Sequence, residues 1–268
     1  MDTKSTSIIG AVVLGVLAIG LVLWYMSEHP APFVNQREVG GQPTTTTTTP
    51  SASTSLDEHA KYYDITAAYP SSTPLPPQAN AQAIEVMRQF EVNAITAFKE
   101  QGNFSNLSAQ DIKTFGFDQG KKESLNITYT THHGARSVSY VFLMSQDTLG
   151  AHPNTYYRTL TWDTKTGEGL ELEDLFTSGQ YLTTLSTAAR RALPAIISRS
   201  SGIAMNDVDL GYINKGTTAD ADNFTNWYIE GKNLVLVFPP YQVGPYAIGA
   251  QEVPLSLSAL AGVTSSYR

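Results

Sequence analysis

Residues 8–26 run without a single charged side chain, and this stretch constrains the chain more than any other feature. As a helix rising about 1.5 Å per residue it spans roughly 28 Å, close to the ~30 Å hydrocarbon core of a bilayer. In lipid the backbone polar groups of a single segment are satisfied only within a helix, so a transmembrane helix is expected there. Trp24 and Tyr25 stand at its far end, where rings with an apolar body and a polar tip favour the interface. Lys4 and the free amine precede the stretch, whereas Glu28 and His29 follow it and the first arginine is Arg37. Residues 1–7 are therefore expected in the cytoplasm and the remainder outside it, a single-pass arrangement in the cell membrane. A cleaved signal peptide is the rival reading. Against it, the run exceeds a usual signal-peptide core and no small-x-small site follows Trp24-Tyr25-Met26-Ser27.

Residues 27–57 hold Gly40-Gly41, several prolines and an unbroken threonine run from Thr44 to Thr49. So little apolar area cannot offset the entropy of ordering, and the segment reads as a disordered tether with its ends about 30 Å apart. The formal net charge is -7 with only 15% charged residues, so no basic field exists to hold a phosphate backbone and nucleic acid is excluded as a partner. The absence of cysteine excludes disulfides, thiolate metal sites and a cysteine nucleophile.

Beyond the tether the patterning is that of an α+β protein: antiparallel sheets packed with two main helices. A strand is expected over residues 62–69, ended by Pro70 and the 74–77 proline cluster. A helix over 80–101 follows, with Ile84, Met87, Phe90, Ala94, Ile95 and Phe98 on one face and Gly102 as its stop. Glu91 falls inside that stripe; the rarity of buried glutamate favours a flank position with the carboxylate turned to water. Residues 124–163 read as three strands, and in the middle one Val138, Tyr140, Phe142 and Met144 alternate with Ser137, Ser139, Val141 and Leu143. One face is core, and the other is expected to meet a second layer. A hairpin turn at 164–167 leads to an acidic strand at 170–176. A second helix then carries a Leu182, Leu185, Ala189, Ala192, Leu193, Ile196 stripe, capped by Thr177 or Ser178 and bearing Pro194 on its outer side. Strands at 224–230 and 234–238 close the pattern. The expected division is 1–7 cytoplasmic, 8–26 transmembrane, 27–57 linker, 58–166 first module and 167–268 second module.

Little of this reads as chemistry. His29 and His59 lie in or beside the tether, His132 and His133 point to opposite faces of a strand, and His152 reads as a solvated loop residue, so no metal site is expected. Asp220, Asp222 and Asn223 hint at a calcium loop, but Phe224 occupies the fifth position and no glycine the sixth, which leaves a polar loop. Glu168, Glu171, Glu173 and Asp174 could supply a carboxylate pair for glycoside chemistry, or simply an acidic edge that discourages strand pairing. Arg190, Arg191 and Arg199 read as a solvated face. The conspicuous motif is Phe238-Pro239-Pro240-Tyr241-Gln242-Val243-Gly244-Pro245-Tyr246. Its prolines fix φ, and its tyrosines are large rigid surfaces with a polar tip, suited to gripping a ligand or to locking a loop on the core. The candidate ligand-binding residues are Tyr241, Gln242, Pro245 and Tyr246.

The paired Pro240-Tyr241 and Pro245-Tyr246, with Val253-Pro254-Leu255-Ser256-Leu257 closing the motif, resemble the C-terminal signature of a bacterial domain family of unknown function. That family is shared by RsiV-type anti-sigma factors and PdaC-type peptidoglycan deacetylases. Gly150-Ala151-His152-Pro153-Asn154, Trp162-Asp163-Thr164-Lys165-Thr166-Gly167 and Leu172-Glu173-Asp174-Leu175-Phe176 resemble the family's strand, turn and helix entry. The resemblance spans 62–260. It makes the first module PdaC-like and the second RsiV-like, and implies an extracytoplasmic, non-catalytic module for cell-wall glycan or a lysozyme-type wall-active protein, without cofactor. With seven residues before the membrane helix and nothing encoding a metal-dependent catalytic domain after Leu260, neither the anti-sigma role nor the deacetylase chemistry is implied. A peptidoglycan-modifying enzyme using the 168–174 carboxylates and a purely structural envelope protein are the alternatives.

Overall fold

A computed structural model describes residues 53–177 and 179–268. The expected transmembrane helix and most of the expected tether lie outside the described residues, and among those described no helix is long and apolar enough to cross a membrane. In chain order the elements are β1 (Ser53–His59), β2 (Tyr63–Pro70), α1 (Pro77–Gly102), α2 (Ala109–Thr114), β3 (Glu123–His133), β4 (Ser137–Asp147), β5 (Asn154–Asp163), α3 (Tyr181–Ser201), α4 (Leu210–Gly216), β6 (Trp227–Glu230), β7 (Asn233–Phe238) and β8 (Gln251–Ser256).

Two sheets form, a five-stranded one in the order β1-β2-β3-β4-β5 and a three-stranded one in the order β6-β7-β8. All neighbours are antiparallel except β2 and β3, which run parallel with Ile65 opposite Leu125. The sheets are thus antiparallel as expected, with this one pair as the exception. A parallel pair needs a long crossover, and α1 and α2 supply it. β1 is a second departure, because its first five residues, 53–57, fall in the expected linker. It pairs along its whole length with β2, Ser53 opposite Pro70 and His59 opposite Asp64.

Alternation along the strands separates the layers. Ile65, Leu125, Ile127, Tyr140, Phe142 and Trp162 face α1, where they meet Ala83, Met87, Phe90, Ala94 and Phe98. The opposite face of the same sheet carries Val141 and Tyr157, packed on Tyr228, Val235 and Val237 of the small sheet. That sheet turns Trp227, Ile229, Leu234, Leu236 and Phe238 toward α3, against Leu185, Ala189, Leu193 and Ile197. The order is thus helix, sheet, sheet, helix, and the expected second layer over β4 is the small sheet.

Polar atoms stitch the two sheets together. β6 is an edge strand, and its Trp227 and Ile229 amides donate to the hydroxyls of Thr159 (3.1 Å) and Ser139 (3.3 Å). Gly231 N donates to His133 O at 2.8 Å, and the His132 ring packs at a tilt against Tyr228, centroids 4.0 Å apart, while its Nδ1 lies 2.6 Å from Glu230 Oε2. Backbone groups that would otherwise be unpaired between apolar layers are satisfied in this way.

Three further expectations are overturned. Residues 170–176 are not a strand; Leu172–Leu175 form a 3-10 turn that buries Leu172 and Leu175 and exposes the acidic side chains between them. α3 starts after Gln180 with no side-chain cap, because Thr177 Oγ1 donates instead to Gly262 O; Ser178 lies outside the described residues. Glu91 is only 6% exposed, and among the described residues its Oε1 has no hydrogen-bond partner. Burial raises the pKa of that carboxyl.

Candidate functional site

Two loops meet at one end of the molecule. Residues 148–153 join β4 to β5, and residues 239–250 join β7 to β8. His152 stacks on Tyr246, with ring centroids 3.8 Å apart and 14° between planes. Its Nε2 lies 3.2 Å from the Tyr241 hydroxyl, and the Tyr246 hydroxyl donates to Pro153 O at 3.2 Å. Tyr241 and Tyr246 are themselves 5.6 Å apart. The result is a three-ring ledge whose outermost member, Tyr241, is 57% exposed.

The backbone beneath the ledge is held in unusual conformations. Tyr241 has φ 72° and Leu149, in the facing loop, has φ 59°. Side chains with a Cβ rarely occupy this left-handed region, and such residues concentrate at functional sites. Two anchors hold the loop there. Gln242 Nε2 donates to Gly216 O and Asn223 O, both at 2.9 Å, and Val243 is buried. A Cβ on Gly216 would overlap the Gln242 carbonyl oxygen, so only glycine lets α4 approach this loop.

The four candidate residues therefore divide. Tyr241 and Tyr246 form the ledge, Pro245 is exposed beside it, and Gln242 is a structural lock turned into the fold. His152 is the member that the sequence alone does not assign. It lies 89 positions from Tyr241, and only its place in the Gly-Ala-His-Pro-Asn segment of the family resemblance pointed to it.

The acidic group does not converge. Glu168, Glu171, Glu173 and Asp174 are all exposed, and Asp174 Oδ2 accepts from the Glu171 amide at 2.8 Å as a turn cap. Among the described residues no three His, Cys, Asp or Glu side chains are grouped to hold a metal. Asp220 caps a short turn by accepting from Asp222 N at 3.2 Å, and Arg190 is not on a free basic face, since it donates to Thr217 Oγ1 and Asn214 O. A separate cleft of about 950 Å³ opens between the start of α1, the outer edge of β5 and the 166–171 turn.

The comparisons agree with this architecture. Residues 173–258 match the family described as a protein of unknown function, DUF3298. The chain is 28% identical over 142 residues to the peptidoglycan-N-acetylmuramic acid deacetylase PdaC of Bacillus subtilis, a match covering 52% of this chain and 29% of PdaC. The chain thus spans under a third of that relative's length. A crystal structure of a DUF3298 family member from Bacteroides fragilis superposes with a TM-score of 0.55 at 15% identity, covering 80% of this chain and 93% of that one, which shows a shared fold. Residues 173–258 thus match a domain family of unknown function, DUF3298, and about half of the chain is similar to part of PdaC.

Proposed function

We propose that the folded region is a non-catalytic binding module for a cell-wall glycan, carried outside the cytoplasm on a membrane helix at residues 8–26. The observation that carries this reading is the preformed ledge of Tyr241, His152 and Tyr246. A sugar ring presents an apolar C–H face and a rim of hydroxyls, and a rigid aromatic with a hydroxyl or ring nitrogen at its edge complements both. Because the rings are already stacked and the loop is locked by Gln242, little ordering entropy opposes binding. The relationship to PdaC, whose name states action on peptidoglycan N-acetylmuramic acid, supports the ligand class. Glycosidase-type chemistry would require two carboxyls facing one another across a bound sugar from unlike environments, and the four exposed carboxylates of 168–174 offer no such pair.

The test is co-sedimentation of the purified full chain with peptidoglycan sacculi, and in parallel with immobilised lysozyme. The expected result is binding to sacculi that falls at least fivefold in Tyr241→Ala. Equal sedimentation of that variant, or none by the parent, refutes the glycan reading, and capture on lysozyme alone would replace it with a wall-active protein as ligand. A reporter fused after Arg268 that is active only in the cytosol would refute the membrane arrangement.

A further inference from the structure

The cleft between α1 and the edge of β5 holds an unpaired cation. Arg158 is only 9% exposed, lines the cleft, and among the described residues its Nε and Nη1 have no hydrogen-bond partner. Leaving a guanidinium out of water without a partner is strongly unfavourable, and buried arginine is found paired with an anion. Glu171 acts on it electrostatically and also lines the cleft, but the two form no ion pair. Burial pushes the guanidinium down to about 9, an effect that a bound anion would reverse.

A second feature points to the same ligand. α1 begins at this cleft, through Gln78 and Ala79, with no side-chain cap at Pro76 and no acidic residue in its first turn. The amides of a first helical turn lack intrahelical acceptors and the macrodipole is positive there, so a 26-residue helix left uncapped beside an unpaired guanidinium favours negative charge twice over. Trp162 and Trp227 supply apolar walls, and Gln82 an amide. The volume suits a ligand of one or two sugar rings. With one arginine and the carboxylates of Glu168 and Glu171 on the same rim, a monoanion is matched better than a dianion.

We propose that this cleft is a second binding site, for a carboxylated small molecule of sugar size, in which Arg158 pairs the carboxylate and the start of α1 shares its charge. The inference is independent of the aromatic ledge, with which the cleft has no lining residue in common.

The experiment uses the full chain in detergent, in a Trp24→Phe background so that the remaining tryptophans, Trp162 and Trp227, report on the cleft. N-acetylmuramic acid, N-acetylglucosamine and inorganic phosphate are titrated against tryptophan emission. The expected result is a saturable change with N-acetylmuramic acid at concentrations at least tenfold below any response to the other two. Arg158→Leu should weaken it at least tenfold while the urea midpoint holds or rises, because an unpaired buried charge is exchanged for packing. Glu171→Gln, on an exposed turn and safe for folding, should tighten binding severalfold by removing a competing carboxylate. An equal response to N-acetylglucosamine or phosphate, no saturable response, undiminished binding by a folded Arg158→Leu, or weaker binding in Glu171→Gln overturns the proposal. Sacculus binding is read separately, so failure here and failure of the ledge are distinguished.

Discussion

Glu123 opens β3 and is 7% exposed, next to the Ser124–Asp147 cross-strand pair. Burial, with the Asp147 carboxylate adding to it, raises the Glu123 carboxyl from 4.5 to about 7. Below the unfolded value the group is protonated in both states and has no effect on stability. Between about 4.5 and 7 the unfolded chain ionises while the folded one keeps its proton, so stability falls as pH rises and levels off above 7. A shift of that size corresponds to a ceiling of about 3 kcal/mol. Glu123→Gln keeps the shape and removes the titration. Urea denaturation of parent and variant at pH 4 and pH 8 measures the effect: little difference at the lower pH, and a variant more stable by about 2–3 kcal/mol at the higher. A difference that does not change with pH would show that the carboxyl is hydrated in solution and refute the reasoning.

Three further outcomes follow from buried or strained groups. Glu91→Met should raise stability near neutral pH by about 1–2 kcal/mol, read from the same denaturation curves, because an unsatisfied carboxyl is replaced by a side chain that packs. Gly216→Ala should destabilise by more than about 2 kcal/mol, since the added methyl meets backbone rather than a mobile side chain. Tyr241→Gly should relieve a left-handed residue and hold or gain stability by up to about 1 kcal/mol while losing sacculus binding, a pairing that a merely structural tyrosine would not give.

What the sequence revealed depended on whether a feature repeats. The α1 and α3 stripes were legible because Met87, Phe90, Ala94 and Phe98, or Leu185, Ala189 and Leu193, recur at helical spacing. β4 was legible because both its faces carry a period of two. β1 was not, because Ser53–His59 is exposed almost throughout and needs no alternation. Residues 170–176 misled because Leu170 and Leu172 flank Glu171 as in a strand, whereas the spacing of Leu172 and Leu175 suits a turn. The parallel β2–β3 pair is decided by the path of the crossover and leaves no mark on either strand. Arg158 escaped notice, and Glu91 was placed in the stripe but read as turned to water, because side-chain charge is normally a sign of exposure. The ledge was half visible: the tyrosines stood out as a motif, but the ring that stacks on one of them comes from a distant loop.

The near-total exposure of β1 has a mechanical consequence. Among the described residues it is one edge of the five-stranded sheet, it contributes to none of the hydrophobic clusters, and Ser53 is its first residue. A pull delivered through Ser53 loads the Ser53–Pro70 pair first and can detach the strand pair by pair, leaving β2 and everything behind it in place. Seven released residues add roughly 24 Å of reach at about 3.4 Å each. The strand would then act as a yielding link, lengthening under load before the binding surfaces feel it.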